Sequence, residues 1–158
     1  MISKRMAELL IEQVGHELRA HQLYMGMSIW FERQSLSRWA KLFRDQSVEE
    51  ARHADKVMHF LIDNDVAFEL PALKAATTRY GSAQAVAQAA LESEQKVSGQ
   101  FREMDKSALA ECDLTAHQFL QWFIEEQVDE VRKAQGLLGL VESGINLFQA
   151  EPLLDQFE

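Results

Sequence analysis

The sequence predicts an all-α fold, a bundle of four long helices followed by a short fifth, and three observations carry that prediction. Only seven Gly and two Pro punctuate 158 residues. The good helix formers Ala, Leu, Glu, Gln, Lys and Arg dominate the remainder. Apolar residues recur in steps of four and three through four long stretches, the period of a helix that buries one stripe.

The first helix is predicted from an N-cap at Ser3 to about Arg33, weakened only at Gly15 and Gly26. Its seam reads Met6, Leu10, Gln13, Glu17, Ala20, Tyr24, Met27, Phe31, so a carboxylate and a phenol point inward with the apolar side chains. A turn at 35–37 leads into a second helix, to about Asn64, with the seam Trp39, Phe43, Gln46, Glu50, His53, Val57, Phe60. So tight a connection makes the two helices antiparallel neighbours. Residues 65–81, which include Pro71, are long for a loop. Fully extended they reach about 56 Å against about 42 Å for the second helix, so they are read as a crossover that starts the third helix parallel to the second.

The third helix, capped by Ser82 and running to about Ala110, has the seam Ala87, Ala90, Glu94, Val97, Phe101, Met104, Ala108. The fourth, capped by Asp113 or Thr115 and ending near Ser143, reads Ala116, Leu120, Phe123, Gln127, Glu130, Ala134, Leu137, Val141. Beyond Gly144 the chain is amphipathic but holds Pro152, which predicts a short, imperfect fifth helix. No repeat or linker divides the chain, and 47% hydrophobic residues suffice for one core, so residues 1–158 are read as a single domain.

A formal net charge of −9 argues against nucleic acid or an anionic membrane surface as partner and favours cations. The apolar run at Leu9, Leu10 and Ile11 is broken by Glu8, Glu12 and Gln13, short of a signal-peptide core, and no stretch is apolar enough to span a membrane. Cys112 is the only cysteine, which fits a reducing cytoplasm.

Helices of similar length packed side by side have their midpoints at one level. The mid-seam residues are Glu17, Glu50, His53, Glu94, Gln127 and Glu130. Four carboxylates in an apolar interior require protons or cations, and no Lys or Arg falls on a seam to offset them. Any one buried Glu or His is more often a hydrogen-bonded core residue than a ligand. All of them at one level, with Glu50-x-x-His53 spacing, point instead to metal. An oxygen-rich set with one imidazole suits a pair of divalent first-row ions such as Fe²⁺ or Mn²⁺, and a carboxylate on each of four helices is how bundle di-iron centres are built. Gln13 and Gln46, one turn before the centre, read equally as core amides or as supports of the ligands. Glu49, Glu126 and Asp129 form either a solvated face or a third, weaker cation site. His16, His21, His59 and His117 lie off the seams and read as solvated. Leu23 and Trp30, just off the first seam, read as a subunit contact or as a wider core stripe.

Glu17 with Tyr24, Glu49-Glu50-x-x-His53, Glu94, and Phe119-Leu120-Gln121-Trp122 followed by Glu126-Gln127-x-x-Glu130 resemble the prokaryotic non-haem ferritins over nearly the whole chain. The resemblance implies a ferritin-like bundle in which Glu50 bridges two irons, Glu17 and His53 complete one site, and Glu94 and Glu130 complete the other. Gln127 and Tyr24 match residues hydrogen-bonded near the centre, and Glu49, Glu126, Asp129 and Glu130 match a further iron site. It also implies a cytoplasmic homo-oligomeric 24-mer shell that oxidises Fe²⁺ with O₂ or H₂O₂, binds two or three irons per subunit and stores ferric mineral. Gln127-x-x-Glu130 stands where bacterioferritins and rubrerythrins have a second Glu-x-x-His. Ala51 stands where bacterioferritins have their haem-ligating Met, so no haem is expected. With the only imidazole on the Glu17 side, the Glu94 and Glu130 side is expected to hold its metal more weakly. The alternatives are a di-iron oxidase or peroxidase without storage, and a metal-free helical bundle.

Overall fold

The computed structural model describes residues 1–158 and contains helices and no strand. In chain order they are α1 (Lys4–Arg33), α2 (Ser37–Asp63), α3 (Ala83–Ala110), α4 (Leu114–Glu142) and α5 (Leu147–Ala150), followed by a 3₁₀ segment, Glu151–Phe157. Three of the four long helices start at a side-chain cap. Ser3 Oγ accepts the Met6 N–H at 3.0 Å, Ser82 Oγ accepts that of Ala85 at 3.1 Å, and Asp113, rather than Thr115, accepts that of Ala116 at 3.0 Å. Asp113 also accepts the Ser3 N–H at 2.9 Å, tying the starts of α1 and α4 together.

The first three long helices end alike. Ser35, Asp65 and Cys112 take φ of 60°, 57° and 55°. Each is followed by a residue whose N–H reaches back five positions, Leu36 to Phe31, Val66 to Leu61 and Asp113 to Ala108. These bonds satisfy the last carbonyls of each helix, with a non-glycine residue in the left-handed conformation where glycine is usual. After α4 the same kind of position is filled by Gly144, φ 79°.

α1 packs chiefly on α2 and α3 on α4, and α1 also meets α3. The crossover runs back along α1. Pro71 lies against Gly15, the Thr77 carbonyl against Gly26, and Trp30 Nε1 donates to the Tyr80 carbonyl at 2.9 Å just before α3 begins. A Cβ on Gly26 would stand 2.1 Å from that Thr77 oxygen. The two glycines that weaken α1 as a helix are therefore where the crossover approaches it most closely. Trp30 and Leu23 both pack on the core, so they form the wider stripe.

Two apolar clusters fill the bundle. One gathers Phe31, Trp39, Phe43 and Leu154, with Phe31 stacked 5.3 Å from Trp39. The other gathers Met6, Leu61, Phe101 and Phe123, with Phe101 stacked 4.5 Å from Phe123. Burial of each such side chain contributes about 2–3 kcal/mol before the entropy of ordering it. The mid-seam Glu17, Glu50, His53, Glu94, Gln127 and Glu130 belong to neither cluster, whereas Tyr24 lies in the first. At the end of α2 it is Leu61, rather than Phe60, that is fully buried.

The C-terminal segment closes one end. Trp39 Nε1 donates to the Leu147 carbonyl at 2.9 Å, Ala150 and Leu154 are buried, and the Phe157 ring covers Gly136. Pro152 falls in the first two positions of the 3₁₀ segment, where its missing N–H leaves no bond unmade. The fifth helix is thus as short and irregular as Pro152 predicts.

Candidate metal centre

Four helices deliver the mid-seam side chains to one buried layer. α1 contributes Glu17 and Tyr24, α2 Glu50 and His53, α3 Glu94, and α4 Gln127 and Glu130, all of them buried. Glu17 is 0% and Glu50 1% exposed, so no solvent screens their charge. Ligand atoms of Glu17, Glu50 and His53 lie within 4.8 Å of one another, and so do those of Glu50, Glu94 and Glu130. Glu50 is the member common to both groups.

The two halves differ in their partners. On the Glu17 side, His53 Nδ1 lies 3.1 Å from Glu50 Oε2 and 3.8 Å from Glu17 Oε2. Glu17 Oε2 and His53 Nε2 are buried without any hydrogen-bond partner. The His53 ring stands edge-on to Trp122 and Phe123 at 5.6 and 6.0 Å, and Lys56 Nζ lies over the outer face of Trp122 at 4.3 Å. On the other side every carboxylate is engaged. The Tyr24 hydroxyl donates to Glu94 Oε1 at 2.6 Å, and Gln127 Nε2 donates to Glu94 Oε2 at 3.1 Å and to the Glu94 carbonyl at 3.3 Å. Gln46 Nε2 donates to Glu50 Oε1 at 3.0 Å and to Glu130 Oε2 at 2.8 Å. Gln13 Nε2 donates to Glu17 Oε1 at 3.0 Å.

The proton affinities record the strain of this layer. Burial, then repulsion by Glu50, raises Glu94 to about 8; burial, then repulsion by Glu94 and Glu50, raises Glu130 to about 8. Burial also raises Glu50, against the pull of His53, and raises Tyr24 further above its ordinary value, with help from Glu94 and Glu50. Burial alone would lower His53, but the carboxylates of Glu17 and Glu50 override it and hold the imidazole up to about 11. An unpartnered carboxylate oxygen and five clustered acid and imidazole groups are the donor set of a hard or borderline divalent cation.

Residues read less sharply from the sequence fall as follows. Glu49 and Glu126 line a cavity of about 240 Å³ with Gln46 and Glu130, and Asp45 and Glu158 add acids to it. Asp129 is turned to Arg132 at 2.6 Å and Lys133 at 3.5 Å and does not line that cavity. Among the histidines read as solvated only His59 is exposed. His117 contacts Asp105 at 2.7 Å, and His21 Nδ1 lies 2.7 Å from the Ser47 carbonyl and 2.8 Å from its hydroxyl, a clasp between α1 and α2 one turn from Glu17. Periodicity offers no signal for that clasp, nor for Trp122 against His53, because both depend on how neighbouring helices are rotated.

A buried carboxylate layer across four helices joined by a long crossover defines a ferritin-like protein, and the chain belongs to the ferritin-like domain family, whose model matches residues 7–143. Among its relatives, ferritin BfrB of Mycobacterium tuberculosis is 32% identical over 144 residues, 90% of this chain and 80% of that protein. The bacterial non-heme ferritin of Staphylococcus aureus is 31% identical over 130 residues, 82% of this chain and 78% of its own length. The open pore ferritin of the archaeon Archaeoglobus fulgidus superposes with a TM-score of 0.93 at 28% identity, covering 98% of each chain. No helix is long and apolar enough to cross a membrane.

Proposed function

We propose that this ferritin-family protein is an iron-storage ferroxidase. The observation that carries the reading is Glu50, whose carboxylate belongs to both three-residue clusters and so suits a bridge between two ions. Glu17 and His53 complete one position, and Glu94 and Glu130 the other. Iron is the substrate. Two Fe²⁺ give up one electron each, and O₂ takes both with two protons to leave H₂O₂ and two Fe³⁺; H₂O₂ is the alternative oxidant. Gln127 and Tyr24 orient Glu94, and Gln46 orients Glu50 and Glu130. Each cation that enters displaces protons from carboxylates held near 8, which couples loading to deprotonation.

Storage, a cytoplasmic 24-mer cage and a third iron position at Glu49 and Glu126 belong to the same reading, and Asp129 would join that position only by leaving Arg132 and Lys133. The relatives' names as ferritins support storage and assembly. Exposed Val48 and Ile62, fourteen positions apart and so on one face of α2, offer apolar surface for subunit contact. Haem has no part in it. The cavity lined by Glu49, Glu126 and Glu130 gives Fe²⁺ an acidic approach to the Glu130 side.

The test is to add Fe²⁺ to the iron-free protein in air at rising ratios, follow ferric absorbance and size the product. Retention of far more than a few irons per chain in a large particle is expected. Turnover with a few irons per chain in a small particle would establish the second reading, a di-iron oxidase without storage.

A further inference from the structure

A second polar site lies on the other side of α1 from the carboxylate layer, between α1, α3 and the crossover. It is an open hollow of about 250 Å³ lined by the solvent-exposed Arg19, Lys74 and Lys96, with His16, Ser93 and Gln100 completing its polar wall. No Asp or Glu lines it, although the chain carries a formal charge of −9. Glu12 and Glu103 face the adjoining groove instead. None of the three cations forms an ion pair with any carboxylate of the chain.

The wall is organised before anything binds. Arg19 Nη2 lies 2.9 Å from His16 Nδ1, and Arg19 Nε donates to the Gly15 carbonyl at 3.4 Å, which fixes the guanidinium at the rim. Pro71 packs on Gly15, where an added Cβ would stand 3.1 Å from its ring, and this contact holds the crossover, with Lys74, against the cavity. Gln100 accepts from Gln13 at 3.3 Å through its side-chain oxygen, which leaves its amide N–H groups for the cavity. Three unpaired cations and neutral donors around an acid-free hollow match the needs of a multiply charged oxyanion, since charge-assisted hydrogen bonds to such oxygens are the strong ones. The volume admits a tetrahedral anion and a small substituent.

We propose that this cavity binds a phosphate group, either free phosphate or the head of a phosphate monoester. The bound anion joins α1, α3 and the crossover through Arg19, Lys96 and Lys74. Gln13 bridges Gln100 to Glu17, so Gln100 stands two hydrogen bonds, and an anion held by Gln100 three, from the carboxylate layer.

The test is isothermal titration calorimetry of the iron-free full chain with inorganic phosphate and, separately, with glycerol phosphate. Saturable binding of about one anion per chain is expected, weakened about tenfold in Arg19→Gln and in Lys96→Gln, kept in Lys96→Arg, and reduced when NaCl rises from about 0.05 M to about 0.5 M. Whichever of the two anions binds tighter identifies the source. Absence of saturable binding to either, or equal affinity in wild type and both Gln variants with unchanged helicity and Tm, overturns the proposal.

Discussion

Gln46 Nε2 donates to Glu130 at 2.8 Å while also donating to Glu50 at 3.0 Å, so one amide on α2 holds together two carboxylates from different helices. It places two like-charged groups within the span of a single ion. Replacing Gln46 with Leu removes both bonds and lets the carboxylates separate. Affinity at the Glu94 and Glu130 position is expected to fall about tenfold or more, with the Glu17 and His53 position nearly unchanged. Anaerobic Fe²⁺ titration monitored by calorimetry resolves the two steps, and equal weakening of both would count against the assignment.

Glu50 is shared and the other ligands are not. Glu50→Ala is expected to abolish stoichiometric binding at both positions and to slow Fe²⁺ oxidation by about a hundredfold or more, whereas His53→Ala and Glu130→Ala each remove one. Metal counts per chain after gel filtration distinguish these outcomes. A Glu50→Ala protein that still binds two ions would refute the bridge.

Stability of the iron-free protein follows from the proton affinities. Glu94 and Glu130 titrate near 8 when folded against an ordinary 4.5, so the folded state holds protons the unfolded chain has lost, and stability falls as pH rises from about 4.5 through 8. His53, raised to about 11 from 6.5, contributes stability that is fully present below 6.5 and lost as pH rises towards 11. Both act in one direction. Tm of the iron-free protein is expected to drop on the order of 5 °C between pH 6 and pH 8.5, and Glu94→Gln to flatten the slope, by scanning calorimetry. A Tm that climbs over this range would contradict the buried layer.

Gly26 is required by the crossover. Gly26→Ala drives a methyl into the Thr77 carbonyl, and a loss of about 2 kcal/mol is expected in urea unfolding despite the better helix propensity of Ala. Gly99→Ala, where nothing stands within 4 Å of the new methyl, is expected to add up to about 1 kcal/mol. Similar effects at the two sites would mean the crossover does not press on α1.

Cys112 sits exposed at φ 55°, a conformation that costs a residue with a Cβ. Cys112→Gly is expected to stabilise by about 0.5–1 kcal/mol without altering iron oxidation. Unfolding midpoints of the two proteins decide it.

The four seams, the caps at Ser3 and Ser82 and the convergence of Glu17, Glu50, His53, Glu94, Gln127 and Glu130 were legible in the sequence because each depends on a local pattern. A residue's face on a helix is set by its spacing alone, and mid-helix acids must meet wherever helices of equal length lie side by side. What the tertiary structure decided was rotation and approach. Only packed helices show that Gln46 reaches across to Glu130, that His21 clasps Ser47, and that Asp129 turns to Arg132 and away from Glu49 and Glu126. Gly15 and Gly26 looked like flaws in α1 until the crossover lay on them. Periodicity specifies one helix at a time, whereas hydrogen bonds of 3 Å between helices depend on the registry of several, and no spacing within a single helix encodes it.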